Sequence, residues 1–227
     1  KKEYNYLGDA ILGAIDGTVT TFAIVSAIAG AGLRSEIAII MGLANLFGDG
    51  FSMAAGNYLR VRSDQEILEE ARQTEELHIE KVPKGEIEEI RQIFEEKGFK
   101  GDLLERVVEV ITKNRQLWID TMITEELGLN KTTSNPYLAG LYTFIAFCVA
   151  GLIPLLPFFI AIFARDFNVF LVSIILTTLS FLIVGVIKGI ILRKSKMRSS
   201  IETLIVGLGA ATVAYITGIL GKSIASP

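Results

Sequence analysis

Residues 167–192 read FNVFLVSIILTTLSFLIVGVIKGIIL, a stretch whose one charged residue is Lys188. A helix rises about 1.5 Å per residue, so a stretch of this length crosses the roughly 30 Å hydrocarbon layer of a bilayer. Further apolar segments run over 7–33, 37–59, 137–164 and 201–224. Hydrophobic residues make up 51% of the chain, more than a soluble domain of this size needs to fill one core. The sequence therefore predicts an all-α integral membrane protein with five transmembrane helices.

A polar insert separates the second and third apolar segments. Residues 61–135 hold most of the charge in the chain. Pro83, Gly98 and Gly128 lie at the positions where helices within this insert are expected to end. The predicted helices of this three-helix insert cover 61–81, 84–97 and 102–127. The expected domains are 1–60 with transmembrane helices 1 and 2, 61–135 with the insert, and 136–227 with transmembrane helices 3 to 5.

Basic residues in short connections indicate which side of the membrane each loop faces. Lys and Arg are held back on the cytoplasmic side. The loop between the fourth and fifth segments carries Arg193, Lys194, Lys196 and Arg198, and the chain begins with two lysines. We therefore expect the N-terminus and the insert in the cytoplasm and the C-terminus on the opposite side.

The insert carries potential ligands three or four positions apart, the spacing that puts two side chains on one face of a helix. The pairs are Glu75 with His78, Glu86 with Glu89, and Met122 with Glu126. An imidazole, several carboxylates and a thioether favour iron or manganese over magnesium and calcium, which bind through oxygen. Glutamate at this spacing is also typical of an ordinary solvated helix surface, and periodicity does not separate the two interpretations.

Polar residues also occur within the predicted spans. Asp16 lies in the middle of the first span, where a carboxylate costs about 2.5–3.5 kcal/mol and should face a partner, a cavity or a pathway. In the second span, Asn45, Asp49 and Met53 are each four residues apart and share one helical face. Their oxygens and thioether could bind a partly dehydrated metal ion. The alternative is a helix-packing interface whose polar groups bond one another.

Several short motifs together resemble one family of membrane proteins. They are Asp9-Ala10-Ile11-Leu12-Gly13 through Asp16-Gly17, Gly42-Leu43-Ala44, Ser52-Met53, Val82-Pro83, Trp118-Ile119-Asp120 through Glu126-Leu127-Gly128-Leu129, Lys188-Gly189, and Gly207 to Gly221 with Tyr215. In this order, and over nearly the whole chain, they are similar to the vacuolar iron transporter family.

The resemblance implies a homodimer of five-span protomers that exchanges protons for ferrous iron, with the insert gathering metal beside the pore. It places Asp16 and Met53 on the translocation path. The metal-binding residues that it implies in the insert are Glu75, His78, Glu86, Glu89, Met122 and Glu126. Iron is the expected substrate and bound ion, manganese and zinc are the alternatives, and no nucleic-acid partner is expected. The membrane would be the cell membrane of a prokaryote or the vacuolar membrane of a eukaryote.

This chain departs from the family pattern in both regions. Better-studied members have a Glu at the position of Asn45 and a small residue at that of Asp49, so the second-span acid lies one turn further along the same face. His78 also stands in place of a Glu, which exchanges a hard oxygen ligand for a borderline nitrogen. These departures bear on ion choice and proton coupling.

Two other functions fit part of the pattern. Glu75-x-x-His78 is the spacing used by di-iron carboxylate proteins such as ferritin-like ferroxidases, but that site needs two such motifs and the chain has one histidine. A membrane-anchored metal sensor would not need Asp16 and Asp49 inside the spans. We therefore expect a transporter rather than an enzyme.

Overall fold

Helices make up the regular secondary structure of the residues that the computed structural model describes, which are 6–130, 134–164 and 167–225. Five of them are long and apolar enough to cross a membrane. These candidate spans are Leu7–Ala31, Ser35–Lys81, Pro136–Ile160, Val169–Ile191 and Lys196–Ile224. The prediction of an all-α protein with five spans, and with shorter helices between spans two and three, is confirmed.

The chain divides into two compact units. Residues 1–59 and 134–227 form one, the span bundle, and residues 60–133 form the other, the lobe. The helices in chain order are α1 (Leu7–Ala31), α2 (Ser35–Lys81), α3 (Pro83–Glu96), α4 (Gly101–Thr112), α5 (Arg115–Glu125), α6 (Pro136–Gly151), α7 (Leu156–Ile160), α8 (Val169–Ile191) and α9 (Lys196–Ala225). Helix α2 contributes residues to both units.

Helix α1 makes its closest contacts through glycines, which let two helix backbones touch. A Cβ atom on Gly13 would lie 2.2 Å from the carbonyl oxygen of Thr143 in α6, and one on Gly17 would lie 2.3 Å from that of Phe147. On the α9 side, a Cβ atom on Gly30 would lie 2.2 Å from the carbonyl oxygen of Tyr215. Helix α1 is therefore packed between α6 and α9 at a separation that no larger residue at these positions allows.

The third span, which we expected as one helix over 137–164, is broken. Helix α6 ends at Gly151, and a single 3₁₀ turn over Ile153–Leu155 leads into α7. Pro154 lies in that turn and has no N–H to continue a helix. Its carbonyl oxygen accepts a 2.7 Å hydrogen bond from the hydroxyl of Ser173 in α8. That bond satisfies a backbone group for which lipid offers no partner.

The lobe packs around one apolar core. Its buried members are Ile79, Ile90, Leu104, Val108, Ile111, Trp118, Ile119, Met122 and Ile123. The helix that we expected over 102–127 is instead two helices, α4 and α5, because the chain turns at Asn114. The side-chain oxygen of Asn114 accepts a 3.1 Å hydrogen bond from the backbone N–H of Leu117 and so caps α5. Apolar side chains of both α4 and α5 therefore reach the core of the lobe.

Replacing Gly13 by alanine should destabilise the span bundle by about 1–3 kcal/mol, because the new methyl group would overlap the Thr143 carbonyl group. Gly209 in α9 is the matched control, since a Cβ atom there would meet no atom within 4 Å. The measurement is the fraction of each purified variant that stays monodisperse after heating. A Gly13→Ala protein as heat-resistant as Gly209→Ala would show that α1 and α6 do not need this close approach.

Candidate metal sites

Three potential metal ligands of the lobe converge where α2 meets α3. One ligand atom from each of Glu75, His78 and Glu86 lies within 4.8 Å of the others. Glu75 and His78 are one turn apart near the end of α2, and Glu86 is in the first turn of α3. The chain reverses at Val82, whose N–H donates a 2.8 Å hydrogen bond to the His78 carbonyl. The reversal brings Nδ1 of His78 to 3.6 Å from Oε1 of Glu86.

Glu75 and His78 also line a cavity of about 430 Å³. Its other lining residues are Ile67, Glu70, Ala71, Thr74, Glu89, Glu126 and Leu127. The predicted residues Glu89 and Glu126 thus reach the same cavity from α3 and from the end of α5. Glu70 and Thr74 were not predicted from the sequence, although Glu70, Thr74 and His78 follow one another at four-residue spacing. The residues Glu75, His78, Glu86, Glu89 and Glu126 are called the lobe cluster below.

Burial and repulsion between carboxylates raise the pKa values of three acids of the lobe cluster, Glu75, Glu86 and Glu126. Glu75 and Glu86 are 4% and 5% exposed, and one carboxylate oxygen of each is buried with no hydrogen-bond partner among the described residues. Burial first, and then repulsion from Glu89 and Glu75, raise the pKa of Glu86 to about 7, although His78 opposes the shift. Burial and neighbouring carboxylates also raise the pKa values of Glu75 and Glu126. A cation bound among these oxygens would relieve both the burial and the repulsion of negative charge.

Met122 lies in a different environment from the other predicted ligands. Its side chain is fully buried in the apolar core of the lobe, where Ile90 and Ile119 are also buried, and it does not line the cavity. Glu126, one helical turn further along, does line it. The thioether of Met122 therefore has a packing role in this structure, and its role as a ligand stays a prediction.

Polar side chains of α1 and α2 meet inside the span bundle. The amide nitrogen of Asn45 donates a 3.2 Å hydrogen bond to Oγ1 of Thr20. The Thr20 hydroxyl in turn donates a 2.9 Å hydrogen bond to the backbone carbonyl oxygen of Asp16. Asp16 and Asp49 are both half-buried within these two spans. Met53, next on the same face of α2, packs against the apolar core of the bundle. Asn45 therefore contacts α1 one helical turn from Asp16, and Asp49 and Met53 follow Asn45 along the same face of α2.

A buried polar contact that was not predicted from the sequence joins three spans. The amide nitrogen of Asn57 in α2 lies 2.9 Å from Oδ1 of Asp9 in α1 and 2.8 Å from Oγ1 of Thr143 in α6. A signal for it was present, because Asn57 follows Met53 by four residues and Asp9 precedes Asp16 by seven, so each continues a polar helical face. The polar α1–α2 contact thus extends from Thr20 to Asp9 along α1.

Known proteins are similar to this chain over most of its length. A family model described as the VIT family matches residues 7–219. A protein of Tulipa gesneriana named vacuolar iron transporter 1 is 33% identical over 208 residues, which are 91% of this chain and 83% of that protein. This chain belongs to the vacuolar iron transporter family. The resemblance found in the sequence motifs is confirmed.

Relatives in the vacuolar iron transporter family come from distant eukaryotes. The vacuolar iron transporter of Toxoplasma gondii is 33% identical over 224 residues, which are 95% of this chain and 74% of that protein. Vacuolar iron transporter 1 of Arabidopsis thaliana is 32% identical over 208 residues, which are 91% and 82% of the two chains. Membership makes this chain an integral membrane transporter and not an enzyme.

The pKa of Glu86 gives the lobe a defined pH dependence. Because this pKa rises from an ordinary 4.5 to about 7, the folded lobe binds the Glu86 proton more tightly than the unfolded chain does. The bound proton therefore stabilises the fold at low pH, and this stabilisation is lost as the pH rises from 4.5 through 7. Glu86→Gln, which cannot ionise, should therefore slow hydrogen exchange of the α3 amides about tenfold relative to wild type at pH 8, with a chelator present, and change it little at pH 4.

The control for this comparison is Glu96→Gln, which alters an exposed acid of the same helix. Wild type and variant are compared at equal pH, so the intrinsic pH dependence of exchange cancels. Equal protection of α3 in wild type and Glu86→Gln at pH 8 would mean that the Glu86 carboxylate ionises without cost to the fold.

Proposed function

We propose that this protein carries ferrous iron across the membrane and out of the cytoplasm, in exchange for protons. The observation that carries the proposal is the presence of two half-buried acids, Asp16 in α1 and Asp49 in α2, within the spans of a chain whose relatives are named iron transporters. An acid in a region of low dielectric favours either a bound proton or a cation, since both neutralise its buried charge. Alternation between the two occupants is the basis of an exchange. Manganese and zinc are the alternative ions for the same path.

On this proposal the translocation path runs along the α1–α2 contact past Asp16, Asn45, Asp49 and Met53. A divalent ion loses water in the bilayer, and fixed oxygens must replace it. The amide nitrogen of Asn45 is engaged by Thr20, which leaves its amide oxygen to face a cation. Met53 adds a soft ligand, which favours iron over magnesium and calcium.

The lobe cluster would collect metal for this path. Glu75, His78 and Glu86 supply two oxygens and one nitrogen within 4.8 Å, with Glu89 and Glu126 as further acids at the cavity, and Met122 as the predicted sixth ligand. Ligands must be deprotonated to bind, so metal binding releases protons. With the pKa of Glu86 at about 7, protons and metal compete for this carboxylate near neutral pH.

Assembly and orientation complete the proposal. A homodimer with a two-fold axis would place two copies of the path acids in one assembly and double the negative charge offered to an ion. The basic connection between α8 and α9 supports an orientation with the N-terminus and the lobe in the cytoplasm. The membrane would be vacuolar in a eukaryote and the cell membrane in a prokaryote.

A ferroxidase-like or metal-sensing role for the lobe is the second candidate, because the lobe cluster joins a Glu-x-x-His pair to further carboxylates. It fits less well, since a di-iron site of that kind takes two such pairs and the chain has one histidine. Neither role would account for the acids Asp16 and Asp49 inside the spans.

Asp16→Asn should abolish metal flux while leaving folding intact, because it keeps the shape of the side chain and removes its charge and its proton. The measurement is ferrous iron uptake, together with proton movement, in proteoliposomes with an imposed proton gradient. Asp49→Asn should impair flux less if Asp49 only tunes entrance to the path.

Glu36→Gln, at an exposed acid near the start of α2, controls for the loss of one negative charge from the span bundle. Purified Asp16→Asn protein that transports iron at a near wild-type rate would move the path away from α1. Uptake of iron without any movement of protons would leave transport in place and remove the exchange.

Glu75→Ala combined with Glu86→Ala should raise the half-saturating iron concentration about tenfold and change the maximal rate less than twofold, since a collecting site raises the local ion concentration without lining the path. Glu95→Ala combined with Glu96→Ala is the matched control, because both residues are exposed acids of α3 that do not line the cavity. A collapse of the maximal rate at unchanged half-saturation would instead assign the lobe to gating.

A further inference from the structure

The connection between α8 and α9 concentrates positive charge at the end of two spans. Arg193, Lys194, Lys196 and Arg198 are all exposed. Glu202 accepts a 3.1 Å hydrogen bond from Nε of Arg198 and lies 4.0 Å from the Lys188 amine. Among the described residues, no carboxylate lies within ion-pair distance of Arg193, Lys194 or Lys196. Three of the cations therefore project into the surroundings without a counter-charge.

The backbone of this connection is held in one conformation. The N–H of Arg193 donates to the Ile190 carbonyl at 3.3 Å, and that of Lys194 donates to the Gly189 carbonyl at 2.9 Å, the paired bonds that close a Schellman motif. Arg193 has a φ of 52°, in the left-handed region that favours glycine. An arginine at such a position stores strain, and local strain of this kind is often associated with function.

Tight packing of α8 on α9 makes the same connection rigid. A Cβ atom on Gly189 would lie 2.9 Å from the Cα atom of Lys196, and one on Gly185 would lie 2.4 Å from that of Ser200. The two helices therefore touch at the backbone directly beside the loop. Ordering the loop around a ligand would lose little conformational entropy, because the loop is already ordered.

The length of α8 places these cations at the membrane surface. Helix α8 has 23 residues, which gives a length of about 35 Å, slightly more than the roughly 30 Å hydrocarbon layer. The loop that follows therefore lies at the depth of the lipid headgroups. Leu192 and Met197 stand among the cations and are 50% and 75% exposed. Cations with exposed apolar neighbours are suited to the boundary between anionic lipid headgroups and the acyl chains beneath them.

We infer that residues 192–198 form a binding site for anionic phospholipid headgroups. The phosphate group would be contacted by Arg193, Lys194 and Lys196, and the side chains of Leu192 and Met197 would enter the boundary with the acyl chains. The orienting effect of basic residues on topology accounts for their number. It does not account for an arginine in the left-handed conformation or for the exposed apolar side chains between the charges.

The test uses the full chain in nanodiscs of equal parts phosphatidylglycerol and phosphatidylcholine, released for native mass spectrometry to count retained lipids of each kind. Wild type should retain phosphatidylglycerol preferentially. The variant R193Q/K194Q/K196Q should lose that preference, by about fivefold for each cation removed. The matched control K81Q/K84Q/K100Q removes three exposed cations of the lobe and should keep it.

A second variant keeps the test decisive if the triple variant does not fold. Arg193→Gly relieves the strained backbone, so it should raise the unfolding temperature while lowering the preference for phosphatidylglycerol about fivefold. A purely structural or topological role for Arg193 predicts a change in stability without a change in lipid preference. Unchanged preference in Arg193→Gly and in the triple variant, or equal loss in the lobe control, would overturn the assignment.

Discussion

The contact on which the span bundle depends is the backbone-to-backbone approach of α1 to α6 and α9. Gly13, Gly17 and Gly30 make it possible, because a Cβ atom at any of them would overlap a carbonyl oxygen. The short distance between helices also limits how far the polar side chains of α1 can move. Thr20 is therefore held where Asn45 of α2 reaches it, one helical turn from the half-buried Asp16.

The two candidate metal sites apply one physical principle at different depths. In the lobe, Glu75 and Glu86 are buried, and one carboxylate oxygen of each has no hydrogen-bond partner among the described residues. Burial makes the charged form of Glu86 unfavourable and so raises its pKa. In the bundle, Asp16 and Asp49 are half-buried acids within two candidate spans. Both arrangements hold negative charge where water cannot easily stabilise it. A bound proton or metal ion would stabilise either site by neutralising its negative charge. Both the proton and the metal ion can later be released.

The sequence was sufficient for the features that depend on length and local spacing. Apolar length predicted the five spans, and three- or four-residue spacing predicted the faces on which Glu75, His78 and Glu86 lie. It was insufficient where one local bond decides, as at Asn114, whose cap divides the expected helix into α4 and α5. It also missed contacts that only folding creates, such as Asn57 with Thr143, which are 86 positions apart. The burial of Met122 in the apolar core was not predicted for a similar reason. Spacing places a side chain on a helical face but does not say what packs against that face.

The lobe also contains the single tryptophan and the single histidine of the whole chain. Trp118 is 6% exposed in the apolar core, and the imidazole of His78 lies 3.6 Å from a carboxylate oxygen of Glu86. Intrinsic fluorescence excited at the indole therefore arises from the lobe alone, and the imidazole carbon-bound protons give one set of magnetic resonance signals. The intact protein in a membrane thus carries two native spectroscopic reporters, one on the packing of the lobe and one inside the lobe cluster, without any label or engineered residue.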